Sequence, residues 1–305
     1  MRSTRYHRTR RKATKNRVLH SAGSQFNGYA GGSGHRPDGP WPPGRGLAEG
    51  LGAPWTYRAL ILTSFRSMAQ KRVAIVQSSY IPWKGYFDLI RAADEFILLD
   101  DVQFTKRDWR SRNRIKTNAG LLWLSIPVHT KGRYEQRILD TTIADPSWAR
   151  THWQTIRTAY ARAPHFKTYG PAFETLYEST LSSRLSDVNH AFIAAACAAL
   201  GITTPITWSE AYHPRAGRNE RLVDLCVKSG ATEYLSGPSA RGYLDEHAFN
   251  ESGISVLFAD YDGYPEYPQL HGPFEHAVSV LDLIFCTGPR ALEYMRDVCQ
   301  ARVSA

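Results

Sequence analysis

A strand–helix–strand pattern near position 73 constrains the fold of this chain more than any other stretch of its sequence. The apolar run 73–76 is bounded by charged and polar residues, which is typical of a buried strand. Pro82 then begins a predicted helix with one apolar face, and a second apolar run, 96–99, leads into Asp100 and Asp101. Two strands joined by one helix predict a parallel β-α-β unit, and therefore an α/β fold.

Polar side chains follow both of these predicted strands. Ligands of open α/β sheets lie beyond the carboxyl ends of the strands, and the helix N-terminus near Pro82 offers unpaired N–H groups to an anion. We therefore predict a ligand site at this edge. Its expected members are Gln77, Ser78, Ser79, Tyr80 and Lys84 after the first strand, and Asp100 and Asp101 after the second.

The net charge of +10 is confined to the start of the chain. Residues 1–67 contain 12 Lys and Arg against 2 Asp and Glu, whereas residues 68–305 contain 26 of each. The second part has no net charge that would steer it onto a phosphate polymer, so we expect no nucleic-acid partner for it. Because residues 1–67 are basic, rich in Gly and Pro and without periodicity, we predict that they are disordered.

Three interpretations of this leader compete. It is a basic arm for nucleic acid or anionic lipid, an organellar-type targeting peptide, or a segment upstream of a natural start at Met68. We favour the last, because Met68 stands just before the first strand, and we take 68–305 as the α/β domain. No run approaches 18 apolar residues, which predicts no membrane span. Four cysteines without metal-ligand spacing favour free thiols in a reducing compartment.

The stretch 106–116 carries six basic side chains and one acidic one. If it is helical, Lys106, Arg110 and Arg114 share one face, where an anion would relieve their mutual repulsion. The alternative is a solvated face whose charges are balanced by nearby carboxylates. Trp109 either stacks on a base or on an arginine, or packs in the core, which is the commoner outcome for tryptophan.

A strongly apolar strand is predicted at 121–128, followed by His129, which is either a hydrogen-bonded structural residue or a ligand contact. Residues 146–201 have helical periodicity and many aromatics, and we predict a helical insertion there. Alternation then resumes, with strands at 206–210, 233–237 and 254–260, and the chain closes with helices at about 279–288 and 289–303.

Two loops at the ends of these later strands carry small residues and arginines. Arg218 precedes a predicted helix, and Ser236 and Arg241 lie in the segment SGPSARGYL. Small residues with an arginine after a strand are typical of a phosphate cradle, although Gly-Pro-Ser also forms ordinary turns.

Four blocks of the sequence resemble the WbqC-like family of bacterial proteins. They are QSSYIPWKGYFDLI, LLDDVQFTKRDWRSRNRI, ERLVDLCVKSGATEYLSGPSARGYLDEHAF and YPQLHGPFEHAVSVLDLIF. Residues of this chain that match characteristic family positions include Gln77, Tyr80, Gly85, Tyr86, Asp100, Asp101, Lys106, Trp109, Asn113, Arg114, Arg221 and Asp282. The chain departs from the family at Ser78, where proline is usual, and at Ser239 and Ala240, where a glycine pair is usual.

The first block also resembles the opening of HIGH-type nucleotidyltransferases, which implies a mostly parallel, Rossmann-like (HUP-type) sheet. This chain lacks their paired histidines. In that case Tyr80, Lys84 and the helix N-terminus would have to hold phosphate.

The family resemblance implies a cytoplasmic enzyme of O-antigen, surface-polysaccharide or specialised-metabolite biosynthesis. Our first hypothesis is a transferase that uses an activated or nucleotide-linked small molecule, with amide-forming acyl or aminoacyl transfer as one form. Its substrate would bear phosphate or carboxylate, and no other cofactor is implied. The proposed catalytic residues are Asp100, Asp101, Gln77 and Lys106. The proposed ligand contacts are Tyr80, Lys84, Gly85, Tyr86, Trp109, Arg110, Asn113, Arg114, His129, Arg218, Ser236 and Arg241.

Two alternatives remain at the level of sequence. The second hypothesis is a ligand-binding or assembly protein of the same pathway, without chemistry of its own. A metal enzyme with Asp100, Asp101 and His129 as ligands is a more distant one, because no ligand spacing requires it.

Overall fold

A computed structural model describes residues 70–179 and 182–299 of the 305-residue chain. Its strands are β1 (Arg72–Val76), β2 (Glu95–Leu98), β3 (Arg112–Thr117), β4 (Gly120–Ser125), β5 (Ile206–Trp208), β6 (Glu233–Ser236) and β7 (Ser255–Phe258). Its α-helices are α1 (Lys84–Arg91), α2 (Trp148–Tyr160), α3 (Phe166–Glu178), α4 (Leu185–Leu200), α5 (Asn219–Ser229), α6 (Glu246–Glu251) and α7 (Val280–Thr287). The prediction for the leader, 1–67, lies outside the described residues.

Five strands form one parallel sheet in the order β5-β2-β1-β6-β7. Helix α1 connects β1 to β2, α5 connects β5 to β6, and α6 connects β6 to β7. The predicted α/β class and the parallel sheet are therefore confirmed. The strand order reverses between β1 and β6, because chain connections run from β1 towards one edge and from β6 towards the other.

The central strands are buried on both faces. Ala74 of β1 belongs to a large core that also contains residues of α1, α2, α3, α4 and α7. Its neighbours Val73 and Ile75 point to a smaller core shared with α5 and α6. Because successive strand residues point to opposite faces, a strand covered on both sides needs an uninterrupted apolar run, which explains the sequence 73–76.

Three helices occupy the range in which the sequence predicts a helical insertion. Helices α2, α3 and α4 pack through aromatic rings, with Trp153 stacked on Tyr177 at 5.8 Å between centroids. Phe166 contacts Phe285 of α7 at 5.0 Å, which attaches this layer to the large core. Most aromatics of the segment therefore serve packing, as its periodicity indicates.

The basic stretch does not form the helix considered for 106–116. Residues Arg112–Thr117 are strand β3, which pairs in antiparallel register with β4. Gly120 closes the turn with a φ of 107°, a conformation that favours glycine, and the Thr117 hydroxyl donates to the Gly120 carbonyl at 2.8 Å. The face expected to unite Lys106, Arg110 and Arg114 is therefore absent.

Strand β4 confirms a strand after position 120, but it pairs with β3 and lies outside the parallel sheet. Leu121, Leu122 and Trp123 are exposed rather than buried.

The prediction of a helix at 289–303 is also wrong in its described part, where Gly288–Tyr294 is a short 3-10 helix. No helix of the residues that the structure describes is both long enough and apolar enough to cross a bilayer.

Candidate functional site

A cavity of about 870 Å³ opens at the carboxyl ends of β1 and β6, where the strand order reverses. Open α/β sheets bind ligands at this position, because the loops after the two strands diverge and leave a crevice. Gln77 and Ser79 line the cavity after β1, and Ser236 and Gly237 line it at the end of β6. The predicted edge of the sheet is thus the location of a large cavity in the part of the chain that the structure describes.

Three arginines give the cavity a positive lining. Arg110 comes from the loop before β3, and Arg218 and Arg221 come from the start of α5. The Arg218 guanidinium lies 3.7 Å from the centroid of the Tyr243 ring, which fixes its orientation. Among the described residues that line the cavity, none is an aspartate or a glutamate. An anionic ligand is the natural complement of such a lining.

Aromatic side chains form much of the remaining wall. They are Trp83, Tyr86, Trp109, Tyr234, Tyr243 and Tyr261. Trp83 and Tyr261 meet edge to face with ring centroids 5.1 Å apart. Gly85 makes this wall possible, because a β-carbon at that position would lie 2.3 Å from the Trp83 ring. Flat apolar walls suit a planar ring or an acyl group.

The loop after β1 is held in a strained conformation by Asn113. Ile81 has a φ of 37°, in the region that residues with a side chain seldom occupy. The Asn113 amide donates to the carbonyl oxygens of Tyr80 at 3.1 Å and Ile81 at 2.8 Å. Both amide hydrogens are therefore used to fix the loop that carries Gln77 and Ser79 into the cavity.

Asp100 supports the cavity from beneath without lining it. Its carboxylate accepts hydrogen bonds from the Ser78 backbone N–H at 2.8 Å and from the Ser186 hydroxyl. Asn189 of α4 donates to the Ser78 hydroxyl and to the Arg110 carbonyl, each at 2.9 Å. Burial raises the pKa of Asp100, and its hydrogen bonds oppose that shift. This network fixes the backbone of Ser78 and Arg110.

His276 is the lining residue best suited to accept a proton. Burial, followed by the nearby Lys84 cation, lowers the pKa of His276, so its imidazole is neutral at pH 7. Its Nδ1 is buried without a hydrogen-bond partner in the part of the chain that the structure describes. Lys84 lies behind the wall and is only 2% exposed. The Lys84 ammonium donates to the carbonyls of Pro265 at 3.2 Å and Tyr294 at 2.9 Å, and burial lowers its pKa to about 8.

Comparison with known proteins identifies the family. The sequence model of the WbqC-like protein family matches residues 77–294, which include every loop that lines the cavity. This protein belongs to the WbqC-like family. A relative, the uncharacterized protein Rv1507c of Mycobacterium tuberculosis, is 50% identical over 226 residues, covering 74% of this chain and 98% of the relative. No solved structure matches the chain.

In this WbqC-like protein the cavity brings together eight of the residues that the sequence predicts for the site. They are Gln77, Ser79, Tyr86, Trp109, Arg110, Asn113, Arg218 and Ser236. Four different segments of the chain supply them, among them the loop after β1 and the end of β6. Gly85 adjoins the cavity through Trp83.

The other predicted residues lie outside the lining of the WbqC-like cavity. Tyr80 is fully buried, and its hydroxyl meets His152 Nδ1 at 2.9 Å. Asp101 is paired with Arg221. Lys84 and Asp100 are buried behind the walls, and Arg114 lies on the hairpin. The remaining three are exposed. Lys106 lies over the Tyr134 ring, Arg241 lies over the Phe258 ring, and the third is His129.

Several lining residues of the WbqC-like site had not been predicted. Arg221 lies one helical turn after Arg218, so the i, i+3 spacing on α5 was an available signal. Trp83 and Tyr261 reach the wall through packing, and His276 comes from a loop without periodicity. No pattern in the sequence marks these three. Within residues 70–179 and 182–299, no group of three or more His, Cys, Asp or Glu side chains is arranged to hold a metal ion.

Proposed function

We propose that this protein is a transferase that binds an activated or nucleotide-linked small molecule in the cavity between the ends of β1 and β6. The observation that carries the proposal is the lining itself, which has Arg110, Arg218 and Arg221 and no carboxylate among its described residues. Arginines bind phosphate and carboxylate groups in fork-like geometry, and hydrogen bonds to charged groups contribute about 1.5–3 kcal/mol each. The ligand therefore carries phosphate or carboxylate.

The sheet supports a nucleotide as the ligand. When the five parallel strands are renumbered 1 to 5 along the chain, their order in the sheet is 3-2-1-4-5. This order matches five of the six strands in a doubly wound, Rossmann-like sheet. Such sheets bind nucleotides at the point where the order reverses. The aromatic walls would pack against the base or against the group to be transferred. This likeness rests on strand order and supports the predicted Rossmann-like, HUP-type assignment as part of the proposal.

The lining side chains divide into roles. The arginines neutralise the anionic group, Gln77 and Ser236 orient the acceptor, and His276 takes up a proton when the acceptor attacks. In amide-forming acyl or aminoacyl transfer, the amine nitrogen bonds to the acyl carbon and loses a proton to His276. The bond between that carbon and the activating group of the donor breaks, and the arginines stabilise the departing anion. The sequence indicates Asp100 and Asp101 as catalytic residues, and in this proposal they position the cavity instead.

Family membership adds a pathway to the proposal. We place the reaction in the biosynthesis of O-antigen, another surface polysaccharide or a specialised metabolite, because the resemblance to the WbqC-like family implies these pathways. The four cysteines are free thiols, and three of them are buried, which supports a reducing, cytoplasmic location.

Thermal unfolding of the full chain with candidate ligands tests the proposal. UDP-sugars, dTDP-sugars, ATP and acyl or aminoacyl donors would each be added at saturating concentration. We expect one class to raise the Tm of the protein, and Arg218→Gln to weaken binding of that class by about tenfold to a hundredfold. Arg162→Gln is the matched control, because Arg162 is exposed beyond the end of α2. No shift with any ligand would contradict the proposal.

A binding or assembly protein is the second candidate, and one observation favours it. Both acidic residues at the end of β2 are engaged with protein groups, Asp100 with Ser78 and Asp101 with Arg221, so neither faces a ligand. Incubation of the protein with a ligand that raises its Tm and with a panel of amine and hydroxyl acceptors distinguishes the two. A new product seen by mass spectrometry, and lost in His276→Asn, supports the transferase. Binding without any product supports the second candidate.

A further inference from the structure

A second group of arginines and tryptophans lies on the β3–β4 hairpin, outside the cavity. Arg114 and Trp123 are direct partners in the antiparallel register. The Arg112 guanidinium lies 4.3 Å, and the Arg114 guanidinium 5.5 Å, from the centroid of the Trp123 ring. Trp109 lies beside them, with its ring 5.3 Å from that of Trp123. We refer to Trp109, Arg112, Arg114 and Trp123 as the tryptophan–arginine face.

The tryptophans of this face are exposed, and its half-buried arginines form no ion pair with any described residue. Trp109 and Trp123 are each 42% exposed. The salt bridges among the described residues include neither Arg112 nor Arg114, and the Nε of each is buried without a hydrogen-bond partner there. Stacking on an indole ring holds a guanidinium flat while leaving the N–H groups at its edge free for a carboxylate or phosphate. Arginines that served only to keep the protein soluble would not need to be held in one orientation by an aromatic ring.

The face continues directly from the cavity. Trp109 lines the cavity and is also a member of the face, and its carbonyl accepts a hydrogen bond from the Tyr80 N–H at 3.1 Å. Side chains alternate along β3, so Lys116 points to the same side as Arg112 and Arg114. Lys116, however, is buried, and its ammonium donates to Gln269 at 2.5 Å. The open part of this side of β3 is therefore the part nearest the cavity.

We propose that the tryptophan–arginine face is a second anion subsite for the small-molecule ligand. It takes a phosphate or carboxylate group on the part of the ligand, or on the second substrate, that extends out of the cavity past Trp109. The assignment of both sites to one reaction rests on the proposed function. A nucleic-acid chain is a poorer occupant, because residues 68–305 carry equal numbers of acidic and basic side chains.

Inorganic pyrophosphate is the probe, because it tests both sites without knowledge of the natural ligand. The full chain is titrated at low ionic strength, and binding is followed by calorimetry and by tryptophan fluorescence. Three proteins are compared with wild type: Arg112→Gln/Arg114→Gln, which removes the face; Arg110→Gln/Arg218→Gln, which removes the cavity charges; and Arg162→Gln, the exposed control. Trp123→Phe identifies the fluorescence signal of the face.

We expect the wild type to show a fluorescence change that disappears in Trp123→Phe and weakens at least tenfold in Arg112→Gln/Arg114→Gln. The same change should persist in Arg110→Gln/Arg218→Gln and in Arg162→Gln. If the double variant of the face is unstable, Arg112→Lys/Arg114→Lys replaces it, and we expect severalfold weaker binding because lysine lacks the stacked fork.

The outcomes separate the two proposals. No fluorescence response in the wild type, or an unchanged response in Arg112→Gln/Arg114→Gln, overturns the second subsite. A response that persists in the cavity variant, while calorimetry finds no second class of site in the wild type, supports the face and contradicts anion binding in the cavity.

Discussion

The guanidinium of Arg221 forms an ion pair with the carboxylate of Asp101 and joins the first turn of α5 to the end of β2. The Ser209 hydroxyl donates to the same carboxylate at 2.6 Å. Arg221 lines the cavity while Asp101 stands behind it. Asp101 thus positions a cationic wall residue and partly neutralises it, and this relationship leads to the first prediction.

Asp101→Asn should lower the free energy of unfolding by roughly 3 kcal/mol, because it leaves the Arg221 charge unpaired in a largely buried place. It should also strengthen pyrophosphate binding in the cavity, because Arg221 then attracts the anion with its full charge. Denaturant unfolding and calorimetry measure the two effects. Asp140→Asn is the control, since Asp140 is half exposed in its pair with Arg137 and should cost less than about 1 kcal/mol. Loss of product with unchanged binding would instead make Asp101 a catalytic residue.

Gly85→Ala tests the shape of the aromatic wall. The new β-carbon would lie 2.3 Å from the Trp83 ring, so the ring must move out of its place in the cavity lining. We expect a loss of about 1–3 kcal/mol in stability and weaker ligand binding. Gly242→Ala is the control, because nothing lies within 4 Å of a β-carbon there. Equal behaviour of the two variants would show that Trp83 does not depend on Gly85.

Asn113→Ala tests the strained loop after β1. The variant leaves the Tyr80 and Ile81 carbonyls without the amide that holds them, so Ile81 can relax from its φ of 37°. We expect a loss of roughly 3 kcal/mol in the free energy of unfolding, together with weaker ligand binding. Asn250→Ala, on the exposed side of α6, should change neither quantity. A stable Asn113→Ala protein that binds normally would rule out this role.

The buried His152 predicts a loss of stability in acid. Burial lowers the pKa of His152 to about 4 from its usual 6.5. Between these values the unfolded chain binds the proton and the folded chain does not, so stability falls as the pH decreases from 6.5 to 4. The full effect is roughly 3 kcal/mol. Unfolding of wild type and His152→Gln across this range measures it, and identical pH dependence of the two proteins would be the contrary result.

Much of the sheet could be predicted from sequence because its strands are buried on both sides. The run 73–76 and its partner 96–99 must be continuously apolar, and α1 between them shows helical spacing. The reversal of strand order could not be predicted, because no feature of residues 233–236 indicates that this strand pairs with β1 rather than with β5.

The hairpin escaped prediction because its charges obscure its period. Arg112, Arg114 and Lys116 alternate with Asn113 and Ile115, which is a strand pattern, but six basic residues in 106–116 drew the interpretation towards a charged helix. Packing decided the outcome: Asn113 and Ile115 are buried, and the opposite side carries the arginines.

Part of the candidate site could be predicted for a similar reason. Position after a strand indicates which edge of the sheet a residue occupies, and Gln77 and Ser236, predicted in this way, line the cavity. It does not indicate whether a side chain faces the ligand or the protein. Asp100 turns inward because Ser186, 86 positions later in the chain, supplies its partner. Such distant contacts depend on tertiary structure alone.

A crystal structure of the full chain with bound UDP is the most direct test of the central claim. We predict electron density for the nucleotide between the ends of β1 and β6, with phosphate oxygens within hydrogen-bond distance of Arg110 or Arg218 and the base against an aromatic wall. Density for UDP elsewhere, such as the cavity beside Trp153 and Arg157, with only solvent between β1 and β6, would contradict the account.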